Sequence, residues 1–153
     1  HIAAHAFGKI TLFFAAGAIY TAAHKTEVSQ LGGIGRRMPW TMGAFAIAAL
    51  SMIGLPPTAG FISKWYMLSG ALAVQHWVAV AVIVVSTLLN AAYFLPIIYR
   101  AFWGAASDPT DDHAQGEAPL PMLVALGATA GLTVVLFFRP EGALALARQL
   151  IGA

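Results

Sequence analysis

Cysteine is absent from the 153 residues, which excludes thiolate-ligated clusters, disulfides and cysteine nucleophiles and leaves the redox compartment undetermined. Charge is nearly as scarce: eight Lys and Arg plus six Asp and Glu amount to 9% of the chain, against 59% hydrophobic residues. Soluble domains carry about 25% charged residues, so with a mean hydropathy of +0.78 this is an integral membrane segment. No Asp or Glu falls in any apolar run, and only Lys9 and Lys64 interrupt them from the basic side. The formal charge of +2 would suit nucleic acid, but the basic residues are scattered through connecting segments rather than gathered in a patch, which argues against it. Nor is there a phosphate loop, because no lysine followed by Ser or Thr comes after Gly32, Gly33 and Gly35.

What remains is a series of apolar stretches. With about 20 apolar residues per crossing, an all-α membrane fold of about four transmembrane helices is expected. The first covers 1–23 and is already under way at His1, with no basic flank or cleavage-like segment before it, so a longer protein with further helices upstream is expected. A polar loop with Lys25, Glu27, Arg36 and Arg37 follows, its glycines reading as turn residues. The stretch 40–73 would measure about 50 Å as one helix, too long for a bilayer core. Gly54-Leu55-Pro56-Pro57-Thr58-Ala59-Gly60 must interrupt it, because proline removes a backbone donor and clashes with the preceding turn. Halves near 40–55 and 61–73 are predicted, broken at Pro56, Pro57 and Gly60. Broken helices are tolerated where the freed carbonyls line a cavity or meet polar groups, and they often form transporter sites.

Two more spans are predicted at 77–99, with Pro96 near its end as a kink, and at 120–138, followed by a short helix over 141–151 on the membrane surface. The link from Gly104 to Pro121 holds Asp108, Asp111, Asp112, His113 and Glu117 and reads as a solvated loop. These are hard-ligand types, but neither a calcium-loop pattern nor HExxH is present, so no metal site is expected. Lys25, Arg36, Arg37 and Arg100 lie on one side against Arg139 and Arg148 on the other, which puts the first and third loops in the cytoplasm.

Chemistry is concentrated in four ionisable residues at membrane depth. His1, His5 and Lys9 share one slowly drifting helix face, with about 6 Å of rise between neighbours. A charge at that depth costs about 2.5 kcal/mol or more, so such residues usually face a wet cavity or a bundle interior and mark an ion or proton path. An imidazole can take a proton on one nitrogen and release one from the other, with water bridging the gaps. Lys9 would be a relay or switch. Lys64 follows Gly60 by about one turn, where desolvation and freed backbone carbonyls act on its charge in opposite senses and poise it to titrate. The alternatives are structural: intramembrane histidines can serve as hydrogen-bonding partners between helices, and Lys64 can snorkel beside Trp65 and Tyr66 in an aromatic belt. His24 and His76 read as interfacial residues.

The runs HIAAHAFGKITLFFAAGAIY, LGGIGRRMPW and IGLPPTAGFISKW together resemble the antiporter-like membrane subunits shared by respiratory complex I, membrane-bound hydrogenases and Mrp-type cation/proton antiporters. The HxxxHxxxK helix, the RRMP turn and the GLPPxxGFxxK broken helix, in that order, carry the resemblance over nearly the whole chain. It implies a larger inverted-repeat transporter fold of about fourteen helices, of which this chain resembles the last four. It implies that His1, His5 and Lys9 form the central proton relay of the second repeat and that Lys64 is the terminal protonatable residue on the broken helix. Some complex I members have glutamate there, so Lys64 points away from that branch. The stretch from Pro39 to Trp65 and GEAPLPML at 116–123 look most like the D subunits of Mrp-type Na+/H+ antiporters. The first-repeat helices with their glutamate–lysine pair are missing from the sequence, and Gly8 stands where a bulkier aromatic is common, opening space for water beside Lys9.

The expected function is proton translocation within a multi-subunit sodium/proton antiporter of the cell membrane, with no catalytic residue, metal or cofactor of its own. The partners implied are other membrane subunits, helices of the same subunit upstream of His1, protons and monovalent cations. The alternatives are the proton-pumping membrane subunit of an NADH:quinone oxidoreductase or membrane-bound hydrogenase, and a non-conducting membrane scaffold.

Overall fold

The computed structural model describes residues 1–105 and 116–151, and every regular element among them is helical. The element order is α1 (Ile2–Ala23), α2 (Ile34–Arg37), α3 (Pro39–Ile53), α4 (Ala59–Ala73), α5 (Trp77–Trp103), α6 (Leu120–Phe138) and α7 (Glu141–Ile151). By length and composition α1, α5 and α6 can each cross a membrane, and α3 is a shorter apolar helix. Helices α3 and α4 are the two halves of the interrupted span.

The break is built from local rules. Pro39 occupies the first turn of α3, where its missing N–H and fixed φ fit a helix start. The helix stops at Gly54, whose φ of 89° lies in the left-handed region that glycine adopts freely. The N–H groups of Gly54 and Leu55 both return to the Leu50 carbonyl, at 2.8 and 2.9 Å. Pro56 and Pro57 then bar continuation, and α4 restarts after Thr58, whose hydroxyl donates to the Leu55 carbonyl at 2.6 Å.

Helix α3 is the centre of the bundle and packs on α1, α4, α5 and α6. Small residues make this possible: Ala44, Ala48 and Ala49 of α3 are buried, as are Ala15 and Ala18 of α1 and Ala130 of α6. In lipid there is no hydrophobic drive between helices, so close backbone approach over small residues supplies the packing. Hydroxyls add to it, the buried Thr11 of α1 donating to Thr129 of α6 at 2.8 Å. Helix α5 buries only Phe94 and Ala101 and exposes Val78, Val82, Leu88 and Leu89, a surface suited to lipid.

Several details differ from the expectations. The first loop is not featureless: Val28–Leu31 forms a 3-10 turn capped by Glu27 and Gln30. Gly33 turns the chain at φ 71°, but Gly35 is inside α2, where an added Cβ would come within 2.9 Å of the Ala101 carbonyl. Its smallness serves a close approach to α5 rather than a turn. Helix α5 runs through Pro96 to Trp103, because Arg100 suits the negative end of a helix and its carbonyl accepts from Gly104 and Gly33. The space over Gly8 is filled rather than open: Met52 Sδ lies 3.3 Å from where its Cβ would be, so no room for water arises there. Asp108, Asp111, Asp112 and His113 lie outside the described residues.

Candidate functional site

Gly60 sets the site. An added Cβ there would strike the Ser51 carbonyl, so the first turn of α4 lies directly on the last turn of α3. Its N–H donates to Ser51 Oγ at 3.2 Å, in a buried contact. One turn further along α4 this approach delivers Lys64 to the end of α3.

A helix leaves its last carbonyls without partners, and in α3 two of these orphans are taken by Lys64. Its ammonium donates to the carbonyls of Ile53 at 2.8 Å and Met52 at 3.1 Å, and to the Thr87 hydroxyl of α5 at 3.0 Å. The aliphatic stem crosses Gly54, where an added Cβ would come within 2.6 Å of Lys64 Cδ. Asn90 completes the surround, its amide donating to the Met52 carbonyl at 3.4 Å and its oxygen accepting from the Tyr93 hydroxyl at 2.8 Å. Lys64 is half-buried and turned inward, while Trp65 and Tyr66 are exposed. The Lys64 ammonium is thus directed at the end of α3 and at Thr87.

The histidines approach the same point from α1. His1 and His5 face each other with ring centroids 5.7 Å apart. His1 Nδ1 hydrogen-bonds the hydroxyl of Ser63, the residue before Lys64. His1, His5, Ser51, Gly60 and Lys64 line one small cavity of about 20 Å³. A water needs about 10–15 Å³ of free space and two or more polar partners. The cavity has room for one, and imidazole, hydroxyl and ammonium groups around it. Of the four expected relay residues the structure thus brings His1, His5 and Lys64 together; Lys9 is exposed on α1 and does not line this cavity. His24 ends α1 in the left-handed region against the edge of Tyr20, and His76 caps α5 by accepting from the Ala79 N–H at 3.2 Å.

Thr87 and Asn90 were not singled out from the sequence. A hydroxyl and an amide at three-residue spacing within an otherwise apolar span were the available signal, since polar groups in lipid need partners. Among the described residues no cluster of three or more His, Cys, Asp or Glu could hold a metal ion.

The family model described as "NADH:quinone oxidoreductase/Mrp antiporter, TM" matches residues 1–90, which include the histidines, the break and Lys64. The chain belongs to this family. It is 49% identical over 121 residues to the N subunit of the NADH-quinone oxidoreductase of Desulforudis audaxviator, covering 79% of this chain and 24% of that protein. It is 31% identical over 144 residues to the D subunit of the Na(+)/H(+) antiporter of Alkalihalophilus pseudofirmus, covering 92% and 28% respectively. Its fold superposes on a chain of the Mrp complex from Dietzia sp. DQ12-45-1b with a TM-score of 0.80 at 24% identity, over 92% of this chain and 34% of that one. The chain therefore spans about a quarter of the length of the two relatives from Desulforudis and Alkalihalophilus. Both branches of the resemblance are represented, and the identity to the oxidoreductase relative exceeds that to the antiporter relative. As a member of this family the chain is a membrane protein, and its relatives are subunits of multi-subunit membrane complexes.

Proposed function

We propose that this chain translocates protons as part of a multi-subunit monovalent cation/proton antiporter, through His1, His5, Lys9 and Lys64. The observation that carries the reading is the seat of Lys64 on the broken helix: two orphan carbonyls and a hydroxyl hold its ammonium beside a cavity shared with two imidazoles. A proton on His5 or His1 can pass through a water in that cavity to the neutral amine of Lys64. The carbonyls of Met52 and Ile53 and the Thr87 hydroxyl then receive the ammonium, and its release resets the site. Coupling is electrostatic, because a charge arriving on one group changes the proton affinity of the next. Lys9 on the exposed part of α1 completes the relay towards the helices upstream of His1 and towards neighbouring subunits. Those also supply the acidic countercharges, since the apolar spans here hold none. The polar end of the bundle, where Gly33 meets Arg100 and Arg36 meets the Phe102 carbonyl, faces the cytoplasm.

The higher identity to the oxidoreductase relative favours a second reading, in which the same path is driven by quinone reduction in other subunits. Proton movement in inverted vesicles carrying the complete complex separates the two. Flux driven by a sodium or potassium gradient without NADH supports antiport; flux that needs NADH supports the redox-driven pump. Flux under neither condition removes both.

A further inference from the structure

Glu117 lies in the link before α6, yet its carboxylate serves the first turn of α3. One oxygen accepts the backbone N–H of Trp40, and the other accepts the Thr41 hydroxyl at 2.8 Å. Thr41 is fully buried, and Ala118, next to Glu117, is buried in the same cluster as Met38 and Met42. The first N–H groups of a helix lack partners within it, so a carboxylate there satisfies a donor and meets the positive end of the helix dipole.

At the other end of the same helix the Lys64 ammonium meets the carbonyls of Met52 and Ile53. Helix α3 is thus a rod of about 22 Å with an anion at its N-terminus and a cation at its C-terminus, each supplied by a different segment of the chain. Between the ends it buries Met42, Ala44, Ala48 and Ala49 against its neighbours. Each end of the helix is thus held by a side chain from outside it, in addition to its packing.

We propose that Glu117 is a positioning residue for Lys64: by pinning the first turn of α3 it fixes where the Met52 and Ile53 carbonyls stand. This inference rests on the proton-translocation reading of Lys64. Both contacts of Glu117 can be kept without its charge, because a glutamine amide can accept from the Trp40 N–H and donate to the Thr41 hydroxyl.

The test compares Glu117→Ala, Glu117→Gln, Thr41→Val and Lys64→Ala in the complete complex. It measures assembled complex, proton flux per assembled complex, and hydrogen exchange over the first turn of α3. Glu117→Ala is expected to speed exchange there and to lower flux about fivefold or more, the equivalent of one lost hydrogen bond. Glu117→Gln is expected to restore flux to within about twofold of wild type, since both contacts survive. Unchanged flux in Glu117→Ala, or an equal loss in Glu117→Gln, overturns the proposal. If Glu117→Ala fails to assemble, Thr41→Val decides: it removes one hydroxyl contact at similar volume, reduced flux is expected, and unchanged flux overturns. Loss of flux in Lys64→Ala alone sinks only this inference, whereas wild-type flux in Lys64→Ala sinks the translocation reading beneath it.

Discussion

Gly54→Ala tests the Lys64 seat without touching any group that carries a proton. Two effects follow from the structure. The residue has φ 89°, and a side chain in the left-handed region costs about 1–2 kcal/mol. The new Cβ would also stand 2.6 Å from Lys64 Cδ. Carbon atoms settle at about 3.5–4.0 Å, so the lysine stem must retreat by about 1 Å. A shift of that size stretches hydrogen bonds now at 2.8–3.1 Å beyond useful length. One charge-assisted bond contributes about 1.5 kcal/mol or more, which corresponds to about a tenfold change in the population of the seated ammonium. If that population limits turnover, proton flux per assembled complex in vesicles falls about tenfold. Gly70→Ala is the control, since nothing lies within 4 Å of its added Cβ and alanine favours the helix. Wild-type flux in an assembled Gly54→Ala complex would refute the reasoning, as would an equal loss in Gly70→Ala.

Two further substitutions separate chemistry from packing. Thr87→Val removes the hydroxyl that accepts from the Lys64 ammonium, and flux is expected to fall about fivefold while assembly on a native gel is unchanged. Thr11→Val removes the hydroxyl between α1 and α6, away from the Lys64 seat, and should lower thermal stability by about 0.6 kcal/mol, the usual worth of such a bond in lipid, with flux unaltered.

The fold class was readable because apolar runs of crossing length are bounded by charged or proline-rich segments, and nothing in lipid competes with the helix for backbone hydrogen bonds. The break was readable for a related reason: Pro56 and Pro57 forbid a continuous helix whatever surrounds them. That Lys64 would find freed carbonyls followed from its spacing after Gly60, although the identity of those carbonyls did not. Contacts across long stretches of sequence were not legible. Glu117 looked like one more acidic residue in a solvated loop, because its partners Trp40 and Thr41 are more than seventy residues away. Gly8 and Gly35 misled in the same manner: a glycine advertises backbone freedom or space, and only the tertiary fold shows that Met52 and α5 fill that space. Helical spacing placed Lys9 on the histidine face, but about 40° of drift per four residues carries it away from the cavity that His1 and His5 line.

The central claim is that the amine of Lys64 carries the transported proton. Its most direct test is proton flux per assembled complex in vesicles with Lys64→Met, which preserves the length and bulk of the stem but cannot bind a proton. The account predicts normal assembly with flux reduced to the background of complex-free vesicles. Flux equal to wild type would contradict it and leave α4 a packing element.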